Sequence, residues 1–229
     1  MRHAPVLVVT RPAPKGEAFA RAVCQDMARP PRVILSPAFA VQPTGAAVPG
    51  GDVIFTSARA VDIAPPGTGT AWCVGDATAQ AAEAKGWTAR SARGDVEALV
   101  TLILSMRPAG PLTHLAGAQR RGDIARRLTQ AGVRCETVEL YTQVPLAPAT
   151  ALLDAAREGA PLVAPVFSPR SVAGLALAGR VAPLHIVAIS AAVAHEAQRL
   201  NAERVLTAAR PDAVHMLEAT TRALADCGP

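Results

Sequence analysis

Apolar residues along this chain fall in short continuous runs separated by longer stretches with helical spacing. Val6-Leu7-Val8-Val9-Thr10 and Arg32-Val33-Ile34-Leu35-Ser36 are brief and rich in β-branched residues, as buried parallel strands are. Between them Pro12 and Pro14 admit a helix start, and the helix is expected to run to about Met27. Val96, Leu99, Val100, Ile103 and Leu104 form one apolar stripe at i, i+3, i+4, i+7 and i+8, which Asp95 caps and Pro108 ends. Leu112 to Leu115 reads as a strand, Gly117 opens its turn, and a helix follows that Gly132 closes. Cys135 to Tyr141 alternates like a strand with one wet face. Strand and helix alternate throughout, which predicts the α/β class: doubly wound parallel sheets with helices on both faces.

The pattern repeats. Asp52-Val53-Ile54-Phe55-Thr56-Ser57-Ala58-Arg59 and Leu162-Val163-Ala164-Pro165-Val166-Phe167-Ser168-Pro169-Arg170 are each an apolar strand, a Ser and then an Arg, and the same interval separates Ser57 from Ser168 as Arg59 from Arg170. Downstream, Trp72-Cys73-Val74-Gly75-Asp76-Ala77-Thr78 is matched by Val187-Ala188-Ile189-Ser190-Ala191-Ala192-Val193, and Arg93-Gly94-Asp95 by Arg210-Pro211-Asp212. Three blocks in one order predict a duplicated architecture. Each copy delivers a Ser and the free N–H groups of a helix start, which suits an anionic ligand.

Two stretches interrupt the alternation. Pro37 to Gly51 is rich in Pro and Gly and carries no helical pattern, and Val144 to Thr150 holds Pro145 and Pro148. The segment before the first is too short to fold alone. The expected organisation is a discontinuous α/β domain of 1–36 and 147–229 with 42–143 inserted into it, 37–41 and 144–146 being hinge linkers. The strand and helix of Val6–Met27 resemble those of Leu112–Ala131, circularly moved.

Composition narrows the class. Half of the 229 residues are apolar but only 3% are aromatic, so the cores must be built from Ala, Val and Leu. No apolar run is long enough for a membrane span, and Met1-Arg2-His3-Ala4-Pro5 leads straight into a strand without a signal-peptide core. Cys24, Cys73, Cys135 and Cys227 are scattered, and are expected to be reduced thiols of a cytoplasmic protein. A net charge of +5 and a pI near 9.6 suit a polyanionic partner. Scarce aromatics argue against stacking on nucleic acid.

Ligands of doubly wound sheets bind at the carboxyl ends of the strands. There the chain places Thr10-Arg11, Ser36, Thr56-Ser57, Gly75 to Thr78, Ala116-Gly117, Ser168 and Ser190. Neither G-x-G-x-x-G nor a P-loop occurs, nor H-E-x-x-H, nor G-x-S-x-G. Hydroxyls, glycines and arginines at strand ends hold charge and shape; they supply few strong acids or bases. His114 is more simply a structural histidine.

Taken together, Thr10-Arg11-Pro12, Phe55-Thr56-Ser57, Val74 to Ala79, Gly117 with Arg120 and Arg121, Tyr141-x-x-x-Pro145, Phe167 to Ser171 and Ala188-Ile189-Ser190 resemble the uroporphyrinogen-III synthase family over nearly the whole chain. The resemblance implies two flavodoxin-like domains joined by a two-stranded ladder. It implies an enzyme that binds the linear tetrapyrrole hydroxymethylbilane between the domains, inverts ring D, closes the macrocycle and releases water, with no cofactor. The substrate carries eight carboxylates, which accounts for a basic protein. Tyr141 matches the residue that assists the leaving hydroxyl. Thr78 matches the family's helix-start Thr near the substrate, and Thr10, Arg11, Ser57, Gly75, Gly117, Arg120, Arg121, Ser168, Arg170 and Ser190 are the other expected substrate contacts, with backbone N–H groups at the helix starts expected to share the work. Many relatives carry Gly and a Thr pair where this chain has Ser190-Ala191-Ala192-Val193. The expected partner is this small molecule, not nucleic acid or a membrane, and the expected state is a monomer. Two other readings stay open: a non-catalytic two-domain binder of an anionic metabolite, and a nucleic-acid module built on the Arg120, Arg121, Arg126, Arg127 cluster.

Overall fold

A computed structural model describes residues 3–120, 122–176, 178 and 181–227. The chain opens with β1 (Val6–Val9), α1 (Lys15–Cys24), β2 (Arg32–Leu35) and β3 (Phe39–Pro43). It continues through β4 (Asp52–Phe55), α2 (Ala58–Ile63), β5 (Thr70–Cys73), α3 (Asp76–Glu83), β6 (Thr88–Ser91) and α4 (Val96–Met106). Then come β7 (Leu112–Gly117), α5 (Ile124–Gln130), β8 (Cys135–Pro145), α6 (Thr150–Arg157), β9 (Leu162–Val166) and α7 (Pro169–Val172), extended by a 3-10 turn at Ala173–Leu175. The last elements are β10 (Leu184–Ala188), α8 (Ala191–Ala197), β11 (Arg204–Thr207) and α9 (Ala213–Cys227).

The chain divides into two compact units, Met1–Ala40 with Pro145–Pro229, and Val41–Val144. In the first, the sheet runs β2-β1-β9-β10-β11 with parallel pairing throughout. Numbered within the unit, that is order 2-1-3-4-5, the flavodoxin-like winding. In the second, the order is β3-β8-β7-β4-β5-β6, and every pair from β8 to β6 is parallel. Counting from β7, the strands from β8 to β6 again follow 2-1-3-4-5, so the second unit is a circular permutation of the same winding with β3 added at one edge. The duplication read along the chain is therefore a duplication of topology.

Alternation explains why both faces of each sheet are covered. Val6 and Val8 of β1 enter one apolar cluster with Leu152, Val172 and Val193, while Leu7 and Val9 enter another with Phe19, Met216 and Leu224. In β4, Val53 and Phe55 pack with Val61 and Ala82, and Ile54 packs with Leu99, Ile103 and Leu128. A strand buried on both faces has no room for a polar position, which is why these runs are continuous. Val193 belongs to this packing: it is buried on α8 and contributes to the core.

Several details depart from the sequence reading. The Pro- and Gly-rich stretch after Ser36 carries no helix, as read, but its residue pattern did not show the strand β3, which forms because Phe39 and Val41 supply β-compatible side chains and β8 offers an edge to pair with. The first helix ends at Cys24, not Met27. No helix starts at Gly117. A loop intervenes, and α5 begins at Ile124 with Asp123 accepting from Arg126 N–H at 3.0 Å.

Candidate functional site

The second unit carries a pocket of about 240 Å³ at the carboxyl ends of β4 and β7. These are the neighbouring strands at which the winding changes direction, where the loops diverge and leave a crevice. Its lining includes Thr56, Ser57, His114, Gly117, Arg120 and Tyr141. Ser57 is the N-cap of α2: its extended backbone turns the chain and its Oγ accepts from Arg59 N–H at 3.2 Å. A Ser or Thr here is what a strand-to-helix turn requires.

Tyr141 reaches the pocket through a slip in register. From Leu112 to Ala116, β7 pairs with β8 residue by residue, but Gly117 lies opposite Tyr141 and Leu140 is the extra residue. Such a bulge re-aims side chains, and here Leu140 and Tyr141 both enter the same apolar cluster. The Tyr141 ring lies against Gly117, where a Cβ would come within 2.6 Å of the ring and 3.0 Å of its hydroxyl. Glycine is required at position 117 by this close approach, not by a helix start. Tyr141 is 8% exposed, and its hydroxyl makes no hydrogen bond with the described residues.

The loop after β7 is tied down by its own side chains. Gln119 donates to Thr142 Oγ1 at 2.9 Å and accepts from Gln143 N–H at 2.9 Å. Arg120 is paired with Glu139 at 2.6 Å and also reaches the carbonyls of Gly117 and Ala118. Arg120 thus lines the pocket with its charge paired to Glu139. Arg121 lies outside the described residues.

His114 and Thr56 complete the wall. His114 is 3% exposed, and its Nε2 lies 3.2 Å from Thr56 Oγ1. Burial, and then the Arg120 charge, pull the ring's pKa down to about 4, so the imidazole is neutral near pH 7. Its Nδ1 has no partner among the described residues. Sequence reasoning placed Thr56 at a strand end beside Ser57 without giving it a role, set His114 aside and passed over Gln119. The one available signal for Gln119 was position, since it follows the end of β7 beside Gly117.

The other candidates from this unit sit at the end of β5. Gly75 is the extended N-cap of α3, and Thr78 is a buried residue of its first turn, with its N–H already donated to Gly75 C=O. Thr78 N–H is therefore spent within the helix start, contrary to the expectation that it serves a ligand. The same holds for Ala60, Ser171 and Val193, whose N–H groups go to the carbonyls of Ser57, Ser168 and Ser190.

In the first unit the matching strand ends carry Thr10, Arg11, Ser168, Arg170 and Ser190. Thr10 is buried, with its Oγ1 unpartnered among the described residues. Arg11 stacks over the Phe167 ring at 4.5 Å, and Phe167 meets Phe19 edge-on. Ser168 caps α7, bonding Ser171 Oγ at 2.9 Å. Ser190 is the N-cap of α8 without a side-chain capping bond.

Cys73 and Cys135 are poor nucleophiles. Burial pushes the thiol of Cys73 up to about 12 and that of Cys135 to about 11, so both are protonated at neutral pH. Among the described residues no group of three or more His, Cys, Asp or Glu could hold a metal ion, and no helix is long and apolar enough to cross a membrane.

The family model described as Uroporphyrinogen-III synthase HemD matches residues 33–218. No curated protein matches the sequence significantly. Among solved structures, the uroporphyrinogen-III synthetase of Helicobacter pylori 26695 is similar at TM-score 0.62 and 12% identity, over 97% of this chain and 100% of that one. A mutant uroporphyrinogen III synthase from the extremely thermophilic bacterium Thermus thermophilus is similar at TM-score 0.53 and 16% identity, again over 97% of this chain and 100% of that one. At such identities the two structures speak for the fold; the family model, which spans most of the chain, speaks for the family.

Proposed function

The chain belongs to the uroporphyrinogen-III synthase family, and we propose that its reaction is carried by the pocket at the ends of β4 and β7 with Tyr141 at the leaving hydroxyl. The enzyme is a cyclising hydro-lyase that converts hydroxymethylbilane to uroporphyrinogen III with inversion of ring D. The observation that supports this placement is the Tyr141 hydroxyl: it belongs to a ring fixed against Gly117, borders the pocket and has no hydrogen-bond partner among the described residues.

The chemistry needs little more than this. A phenol donates its proton to the hydroxymethyl oxygen as the C–O bond breaks, and water leaves an azafulvene-type electrophile. Ring D attacks through its substituted carbon, and the spiro intermediate rearranges. The proton lost as the pyrrole regains aromaticity restores the phenol, so the balance is one water released. Unassisted closure gives the other isomer, so the enzyme's main contribution is orientation. Arg120, Ser57, Gly75, Thr78 and Gly117 are the proposed contacts in this unit. Thr10, Arg11, Ser168, Arg170 and Ser190 are the proposed carboxylate contacts in the other. Action as a monomer, without nucleic acid or membrane, in the cytoplasm, is part of the same proposal.

The test is Tyr141→Phe, which removes one oxygen and keeps the ring on Gly117. Turnover should fall by about one to two orders of magnitude, the scale of acid catalysis, with an unchanged melting temperature. Wild-type turnover in a folded variant would show the ring to be packing only.

A further inference from the structure

We propose, resting on that reading, that His114 is a positioning residue that holds the Thr56 hydroxyl as a hydrogen-bond donor into the pocket that Tyr141 borders, toward a substrate oxygen. Both residues line the pocket, and their contact of 3.2 Å is the one hydrogen bond between side chains across the ends of β4 and β7 among the described residues. The strands fix it: Ile54 pairs with His114 and Phe55 with Leu115, so the residue just past β4 meets a side chain from within β7.

The direction of the bond follows from what His114 lacks. A neutral imidazole has one N–H and one bare nitrogen. If Nε2 took the Thr56 proton, Nδ1 would carry a buried N–H with no acceptor, since Nδ1 has no partner among the described residues. An orphaned buried N–H is the rarer defect; a bare lone pair is less costly. The favoured tautomer therefore has Nε2–H donating to Thr56 Oγ1. That spends one lone pair of Thr56 and leaves its own O–H without an acceptor among the described residues. The hydroxyl proton is then available to the pocket, and the substrate, which brings carboxylates and a leaving hydroxyl, brings acceptors. The groups that face the ring keep it in this state. Arg120 disfavours a second proton, and Asp123 opposes that only as the smaller influence.

A double-mutant cycle on the full-length enzyme with hydroxymethylbilane tests this. Thr56→Val is nearly isosteric and should lower kcat/KM about tenfold, the size of one transition-state hydrogen bond. His114→Leu should cost about the same. The double variant should be no worse than either alone, because His114 acts through Thr56. His114→Gln, whose amide N–H can reach Thr56 as Nε2–H does, should regain most of the loss. Melting temperatures are measured for all four. Losses that multiply in the double variant, a Thr56→Val enzyme with wild-type kcat/KM, or a folded His114→Gln no better than His114→Leu would each overturn the proposal. The wild-type arm reports separately on the reading beneath it, because a wild type that forms no uroporphyrinogen III would remove the reaction itself, whatever the cycle shows.

Discussion

Tyr141 and His114 show how differently single residues disclose themselves. Tyr141 is the only Tyr in the chain and stands on the strand that returns after α5, so the family resemblance singles it out. What the sequence could not show is the bulge at Leu140 that turns the ring toward Gly117, because register is decided by the partner strand. His114 gave the opposite lesson. As a lone His in an apolar strand it read as structural, and only the fold brings it to Thr56. Its burial also has a consequence for stability. The ring's ordinary pKa of 6.5 falls to about 4 on folding. Between those values the unfolded chain binds a proton that the folded chain refuses. Stability from this group is whole above about pH 6.5 and is lost progressively as pH falls toward 4, by about 3 kcal/mol in all. Melting curves from pH 7 to 4 should therefore fall more steeply for the wild type than for His114→Gln. Parallel curves would mean that the histidine is not buried neutral.

At the scale of elements, the caps were the most legible feature. Asp95 accepts from the N–H groups of Glu97 and Ala98 at 3.0 Å each, and α4 runs from Val96 to Met106 as the apolar stripe predicts. Asp95→Ala should destabilise the folded chain by about 1 kcal/mol, read as a lower urea midpoint with an unchanged slope. A variant as stable as the wild type would show that water replaces the cap. The turns were less legible. Gly117 was read as opening the turn into a helix, but α5 begins only at Ile124, and Gln119 and Arg120 after β7 are tied to β8 by their side chains. Nothing in the local composition shows this, since it lies in contacts with Glu139 and Thr142 on β8. β3 was hidden for a related reason: Pro and Gly around it mask a strand that exists because an edge is available.

For the whole molecule, the periodic runs carried the class, the family resemblance carried the flavodoxin-like winding, and the offset of the internal repeat carried its circular permutation. Two units of the same 2-1-3-4-5 order have their strand ends furnished differently: the second with Tyr141, His114 and Arg120 around one pocket, the first with Thr10, Arg11 and the Ser168–Ser171 pair. The measurement closest to the centre of this account is the chromatographic identity of the tetrapyrrole formed from hydroxymethylbilane. With the enzyme present, uroporphyrinogen III should be the main product, formed faster than the blank closes. Formation of only the non-inverted isomer, at the rate of the blank, would contradict the account.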